Sequence, residues 1–271
     1  YRLKQDGREV NEWGAMPRFK DAGVYTIEAK ATVNGVELTA EAVLRITPKS
    51  VTLTTESATR AYNGQPLTAP GTVKGFVEGE NAELQVTGTQ TAVGSSKNTY
   101  KIVWTETTKA DNYQVSETVG TLTVTAQSID PGTDPEKPNP DYTGAKVNSP
   151  SDKVYDGKEH KWIPTVTDKS KTLKLGKDYT VEYSTKNFKD VGTIEVTITG
   201  KGNYSGTVKR SYKVTPKEYT VTTESATKTY SGTALTAGGK VEGIVSGETV
   251  EFTTTGSQTE VGTSKNTYEL V

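Results

Sequence analysis

Histidine, cysteine and paired acids carry most side-chain chemistry, and this 271-residue chain uses them sparingly. It has one histidine, His160, and no cysteine. A Ser-His-Asp arrangement would have to run through His160, and a Cys-His arrangement has no nucleophile. His160 lies in the polar stretch Lys158-Glu159-His160-Lys161, two residues before Trp162. It is expected to be exposed near a strand start, so no catalytic residue is assigned and the chain is read as a non-enzyme. Zinc sites of the His/Cys kind are excluded by the same count. Calcium takes carboxylate and carbonyl oxygens, and Asp130-Pro131-Gly132-Thr133-Asp134 is a weak match, with a solvated linker as the simpler reading. No cofactor is expected. The 33 acids offer many carboxylate pairs, but a glycosidase site needs a large pocketed scaffold, which small modules rarely supply. Gly71-Thr72-Val73-Lys74-Gly75 is not followed by a helical pattern, which removes the context of a phosphate loop.

Two further chemistries deserve a place among the expectations. Sugar platforms use exposed aromatic rings, and the three tryptophans fall in three different parts of the chain: Trp13, Trp104 and Trp162. Trp104 follows Ile102-Val103 and is expected, with Tyr100, to pack a core. Trp13 and Trp162 are the candidate glycan contacts. A Lys–Asn isopeptide bond beside a buried acid would suit a cysteine-free chain that bears load, although no motif marks one.

The elements that must position these residues come in copies. Val51 to Val103 aligns with Tyr219 to Val271 at a constant shift of 168 residues without a gap, and 31 of the 53 pairs are identical. Duplication of a module serves length or avidity, whereas one catalytic site needs no second scaffold. Four units follow: A (1–49), B (50–127), C (143–217) and D (218–271), with a proline-rich spacer over 128–142. A and C share Phe19-Lys20-Asp21-Ala22-Gly23 against Phe188-Lys189-Asp190-Val191-Gly192, so the order is A-type, B-type, A-type, B-type. Both ends fall inside repeat units, which implies a piece of a longer chain. Unit D has no counterpart of 104–126, the stretch that supplies the last strand or two of B.

Runs such as Tyr25 to Ala31, Val43 to Thr47, Thr121 to Thr125, Tyr179 to Tyr183, Ile194 to Ile198 and Tyr212 to Val214 alternate with period two. Each implies a strand with one face on a core and one in water, as in antiparallel sheets. Asp6-Gly7, Asn34-Gly35, Asn63-Gly64, Asp156-Gly157 and Ser231-Gly232 are turn signals between them. No stretch has a convincing helical period. The fold class is therefore all-β: tandem small Ig-like sandwiches in an elongated array, with β-grasp-like modules as the alternative. Four prolines in Ser128 to Pro140 favour an extended spacer. A joins B through Thr47-Pro48-Lys49, and C joins D through Thr215-Pro216-Lys217. Joints this short imply two stiff pairs.

Tyr155-Asp156-Gly157-Lys158, Gly176-Lys177-Asp178-Tyr179-Thr180-Val181, Asp190-Val191-Gly192-Thr193 and Ile198-Thr199-Gly200-Lys201-Gly202-Asn203-Tyr204-Ser205-Gly206-Thr207 resemble the YDG- and MBG-type repeats of bacterial surface proteins. Tyr62-Asn63-Gly64 and Tyr230-Ser231-Gly232 carry the related signature in B and D. Such repeats occur as tandem Ig-like modules in wall-attached adhesins, mainly of Gram-positive bacteria. The resemblance implies an extracellular, cell-wall-attached location and a monomeric, rod-like stalk that projects a distal binding region. Alternatively, the modules themselves bind a host glycan, mucin or a matrix protein. The net charge of −1 supplies no general attraction to nucleic acid, and the longest apolar runs are too short to insert in a membrane. Within the motifs, Gly64, Gly157 and Gly232 are expected at positive φ. Tyr113 and Tyr204, just before late strands, are expected to reach back to backbone carbonyls. The Asp of each Asp-x-Gly turn is expected to cap its own loop.

Overall fold

The Thr/Val/Ile alternation leaves each strand with one apolar edge, and the chain buries these edges by stacking small sheets. The computed structural model describes residues 1–5, 7–16, 18–132 and 144–271. Among them every regular element is a strand except one short 3-10 turn, Ala110–Asn112, so the protein is all-β. The chain divides into two compact units, Tyr1–Gln127 and Ser128–Val271.

In the first unit, module A consists of β1 (Arg2–Gln5), β2 (Arg8–Glu9), β3 (Gly23–Val33) and β4 (Val36–Ile46), in one antiparallel sheet of order β2-β1-β3-β4. Asn34 and Gly35 turn the long β3–β4 hairpin, both at positive φ (54° and 77°), the geometry that Asn-Gly favours. This single sheet is not a closed sandwich: β4 is exposed along nearly its whole length. Module B holds β5 (Lys49–Thr55), β6 (Ala58–Ala61), β7 (Gly71–Lys74), β8 (Ala82–Val86), β9 (Gly94–Lys97), β10 (Tyr100–Trp104), β11 (Tyr113–Thr118) and β12 (Thr121–Thr125). Its sheets are β11-β5-β7, β6-β12-β9 and β10-β8.

Two of B's ladders are parallel, where alternation alone had implied antiparallel pairing: β11 runs with β5 and β12 with β6. The cause is the crossover between them. The first two strands enter different sheets, and the β11–β12 pair returns at the end of the module to lie alongside both. Leu122 and Val124 of β12 are 0% and 2% exposed and pack on Leu67, Ala58, Tyr62 and Ala69. Burying two such side chains contributes about 1.5–3 kcal/mol each.

The second unit begins at the strand β13 (Gln127–Ser128), which straddles the division. Module C then has β14 (Lys146–Val147), β15 (Lys153–Val154), β16 (Val166–Asp168), β17 (Lys171–Thr172), β18 (Tyr179–Tyr183), β19 (Gly192–Gly200), β20 (Tyr204–Ser205) and β21 (Thr207–Thr215). The sheet β15-β21-β19-β18 and the smaller β14-β16-β17 form the module. Ile194, Val196 and Ile198 of β19 and Val208, Tyr212 and Val214 of β21 supply its core, on the face their alternation marks. The expected spacer starts on this core: Ile129 is 1% exposed and its N–H donates to Ser205 O at 2.8 Å. The rest of the expected extended path, over 133–143, lies outside the described residues.

Module D contributes β22 (Thr220–Thr223), β23 (Gly239–Glu242), β24 (Phe252–Thr254) and β25 (Tyr268–Leu270), paired β22-β23 and β24-β25. These are the counterparts of β5-β7 and β8-β10 at the 168-residue shift. The bridge Leu67–Gln90 recurs as Leu235–Gln258. D has no counterpart of the β6-β12-β9 sheet.

One polar device is common to B and D. Asn98 is fully buried, and its amide donates to Glu56 O at 2.9 Å and Ala69 O at 3.0 Å. Asn266 does the same to Glu224 O at 3.1 Å and Ala237 O at 3.2 Å. Each asparagine lies against a glycine where a Cβ would fall 2.6 Å (Gly88) or 2.5 Å (Gly256) from the asparagine Cα. The turn glycines Gly64, Gly157 and Gly232 stand at φ of 78°, 77° and 70°, as their motif implies.

Within each unit the neighbouring modules touch. Asp21 of A binds Asn112 Nδ2 at 3.0 Å and Lys109 Nζ at 3.1 Å of B, while Asn112 Oδ1 accepts from Ala22 N–H at 2.7 Å. The expected self-capping by Asp21 is thus corrected: its carboxylate reaches the next module, and Asn112, then Lys109, hold its pKa below the ordinary value. Asp190 does close its own loop, through Asn187. In the second unit Tyr155 of C bonds Glu248 of D, and Val245 of D is buried beside Gly157.

Replacing Asn98 by Ala removes the donor to two part-buried carbonyls and leaves a cavity at a fully buried side chain, and is expected to cost module B roughly 1–3 kcal/mol. Asn266→Ala should cost D less, because Asn266 is only half-buried. Urea unfolding followed separately by amide signals from β12 and β23 checks both, and equal losses would contradict the assignment.

Candidate functional site

The extended segment from His160 to Pro164 is held by tyrosine hydroxyls instead of strand partners. Tyr212 donates to His160 O (2.8 Å), Tyr183 to Trp162 O (2.7 Å) and Tyr179 to Pro164 O (2.9 Å). Three alternate carbonyls thus meet three tyrosines projecting from β18 and β21. The expected carbonyl-reaching tyrosines were different ones. Tyr113 donates to the Glu80 carboxylate at 2.7 Å, and Tyr204 bonds the Asp168 carboxylate at 3.3 Å. A period-two pattern marks Tyr179 and Tyr183 as strand residues but says nothing of where a phenol ends, which is why the sequence misplaced this role.

Trp162, a candidate glycan contact, sits in this segment. It is half-buried, with its N–H 3.3 Å from Tyr212 Oη. His160 is less open than expected, its side chain 16% exposed. Its Nε2 lies 2.8 Å from Asp156 Oδ1, which also accepts the Lys158 N–H at 3.0 Å. That backbone bond first, and the histidine second, lower the Asp156 pKa. The geometry is an Asx turn with an imidazole closing it, a loop staple.

Trp13, the other candidate, lies in the loop after β2 and is 37% exposed. Lys30 Nζ stands 4.6 Å and Arg2 Cζ 5.3 Å from its ring centroid, both within cation–π range. Arg2 is held by Glu28, which accepts from its Nε at 2.6 Å and from Lys4 Nζ at 2.5 Å, while Lys30 pairs with Glu37 at 3.1 Å. Lys4, then Arg2, pull the Glu28 pKa from 4.5 to about 2. Trp104 is half-buried, stacked 5.9 Å from Tyr113 and edge-on 6.0 Å from Phe76, whereas Tyr100, expected to pack with it, donates its hydroxyl to Glu117. The two candidates lie in different units, Trp13 in the first and Trp162 in the second.

No group of three or more His, Asp or Glu among the described residues is placed to hold a metal. Of the calcium candidate, Asp130 Oδ1 accepts the Gly132 N–H at 3.0 Å, and Asp134 lies outside the described residues. The buried Asn98 and its copy Asn266 direct their amide nitrogens at carbonyls, so these two asparagines are not seated for an isopeptide bond. No helix among the described residues is long and apolar enough to cross a membrane.

Module D carries a groove of about 470 Å³ between the segments 226–229 and 262–265. In module B the matching segments are β6 and β9, and β12 lies between them. Tyr230 is 60% exposed in D, where its counterpart Tyr62 is half-buried, and Val261 is 86% exposed against 38% for Val93. In D the equivalent segments 226–229 and 262–265 have no regular structure.

Neither a protein-family model nor a curated protein sequence matches the chain.

The Glu28 pair has a pH signature. A carboxylate whose folded pKa is depressed adds stability that is complete above its unfolded value near 4.5 and is lost as pH falls towards about 2. The stability gap between the natural chain and Glu28→Gln should therefore be widest near neutral pH and close as pH falls through that window. Thermal unfolding of both across the range checks this, and a pH-independent gap would contradict it.

Proposed function

We propose that the chain is part of the repetitive stalk of a secreted, wall-attached surface protein, holding a distal binding region away from the cell. The observation that carries this reading is the repeated framework. B and D share two strand pairs, one bridge and one asparagine device at a constant 168-residue shift. Two copies of one frame add length without adding a reaction. The similarity of module C to YDG- and MBG-type repeats supports the compartment. The joints support stiffness: only Thr47-Pro48 separates β4 from β5, and Asp21 bridges A to Asn112 and Lys109 of B. If each module runs the length of β19 or β21 of module C it is roughly 30 Å long, and four in line span on the order of 120 Å.

Small-angle scattering of the 271-residue chain tests the reading. A monomeric rod with a maximum dimension on the order of 120 Å is expected. A globule with a radius of gyration near ~18 Å, the value for a compact chain of this length, would overturn it. On a host glycan and matrix-protein array the stalk reading predicts no specific signal. Binding abolished by Trp162→Ala or Trp13→Ala would instead make the modules themselves the adhesive elements.

A further inference from the structure

The opening and closing strands of module B lie side by side and point the same way. Residues 49–61 carry β5 and β6, and residues 113–125 carry β11 and β12; each run passes from one sheet into another. The two runs pair in parallel at one constant offset of 64 residues: Tyr113 faces Lys49, Thr118 faces Thr54, Leu122 faces Ala58 and Thr125 faces Ala61. Where the runs change sheets, side chains take over from the ladder. Gly120 N–H donates to Thr55 Oγ1 and Thr121 N–H to Ser57 Oγ, both at 2.9 Å. Asn98 ties the runs together at the same place, its N–H donating to Gly120 O at 2.8 Å and its amide to Glu56 O at 2.9 Å. The approach is close enough that a Cβ on Gly120 would fall 2.3 Å from Glu56 O. Past the far end, Tyr62 N–H donates to Thr125 O at 2.8 Å. Val51, Leu53, Thr55, Leu122 and Val124 are each at most 2% exposed. They shield much of this seam from the water that would otherwise replace a stretched bond.

We propose that this seam is a shear clamp through which module B carries tension along the chain. The inference rests on the stalk reading and deepens it. Force enters B through Thr47-Pro48 at the start of β5 and leaves it from the end of β12. It draws 49–61 towards the N-terminus and 113–125 towards the C-terminus. Because the runs are parallel, these pulls are opposed along the seam, and its bonds are loaded together. With antiparallel terminal strands the same pull would open a ladder one pair at a time. A single backbone bond contributes little net free energy in water, so simultaneous loading supplies the resistance. Forced rupture is governed by the unfolding barrier, and that barrier depends on the direction in which the bonds are pulled. Module C ends on a shorter form of the same arrangement. There β21 runs parallel with β15 through Val214–Lys153 and Thr215–Val154, and Tyr155 N–H donates to Thr215 O at 2.8 Å.

Single-molecule force spectroscopy on the full 271-residue chain is the test. The chain has no cysteine, so substitution sets the points of attachment. Handles at Lys49→Cys and Thr125→Cys load the seam along its length. Handles at Asn63→Cys and Thr125→Cys pull its far end apart, across the same bonds. A second pair of chains, Ser50→Cys with Ala126→Cys and Gln65→Cys with Ala126→Cys, repeats the two directions from other positions, so the comparison does not hang on one substitution. At equal loading rate the rupture force along the seam is expected to be roughly threefold higher than across its end. Equal forces in the two directions, or a lower force along the seam, would overturn the clamp. That result would leave the scattering test of the stalk untouched, and a compact globule in scattering would overturn the stalk while leaving the directional difference in force standing.

Discussion

The structure depends on one constraint: a B-type module closes only when a late strand lies between two earlier segments. β12 pairs with β6 on one side and β9 on the other, and its Leu122 and Val124 form the buried centre of that layer. Neither neighbour has another regular partner. Where β12 is present, 58–61 and 94–97 are strands; where it has no counterpart, the equivalent residues 226–229 and 262–265 have no regular structure. A strand is therefore not a property of its own residues alone, since Ala226-Thr227-Lys228-Thr229 and Ala58-Thr59-Arg60-Ala61 are close in sequence. Propensity sets what a segment is able to do, and pairing decides whether it does so.

What survives in D is equally informative. The β22-β23 and β24-β25 pairs, the Leu235–Gln258 bridge and the Asn266 device are all in place. Those features are made by contacts among residues within 219–271. A module of this kind thus has a frame that forms on its own contacts and a lid strand that completes the second layer. Glu248 shows how the frame also serves as a joint. Its counterpart Glu80 accepts the hydroxyl of Tyr113 inside B, whereas Glu248 accepts the hydroxyl of Tyr155 from module C. One carboxylate position holds a module together in one copy and ties two modules in the other. Polar side chains thus link neighbouring modules within each unit, Asp21 to Asn112 and Lys109 in the first and Tyr155 to Glu248 in the second.

The period-two runs marked strands well, because alternation of Thr with Val, Ile or Leu has no other stable outcome: Thr121 to Thr125, Tyr179 to Tyr183 and Ile194 to Ile198 all lie in strands. The Asn-Gly turn at 34–35 was equally clear, since only that chemistry tolerates two positive φ values in a row. Strand direction was not legible. Parallel pairing of β11 with β5 depends on a crossover through residues that carry no local signal. Hydroxyl destinations were lost for the same reason: Tyr113 finds Glu80 between β7 and β8, Tyr204 finds Asp168 at the end of β16, and Asp21 finds the next module. Trp13 could be flagged as exposed, but not the cations that stand over its ring: Arg2, held by Glu28 of β3, and Lys30, paired with Glu37 of β4.

The central claim, that β12 is what turns two frayed segments into a layer, is most directly read by amide hydrogen exchange. In one sample of the 271-residue chain, the amides of 58–61 and 94–97 should be protected as strands, and those of 226–229 and 262–265 should exchange as open loops, while β23 and β24 remain protected. Equal protection of the two sets of segments would contradict the account, because the layer would then form without its central strand.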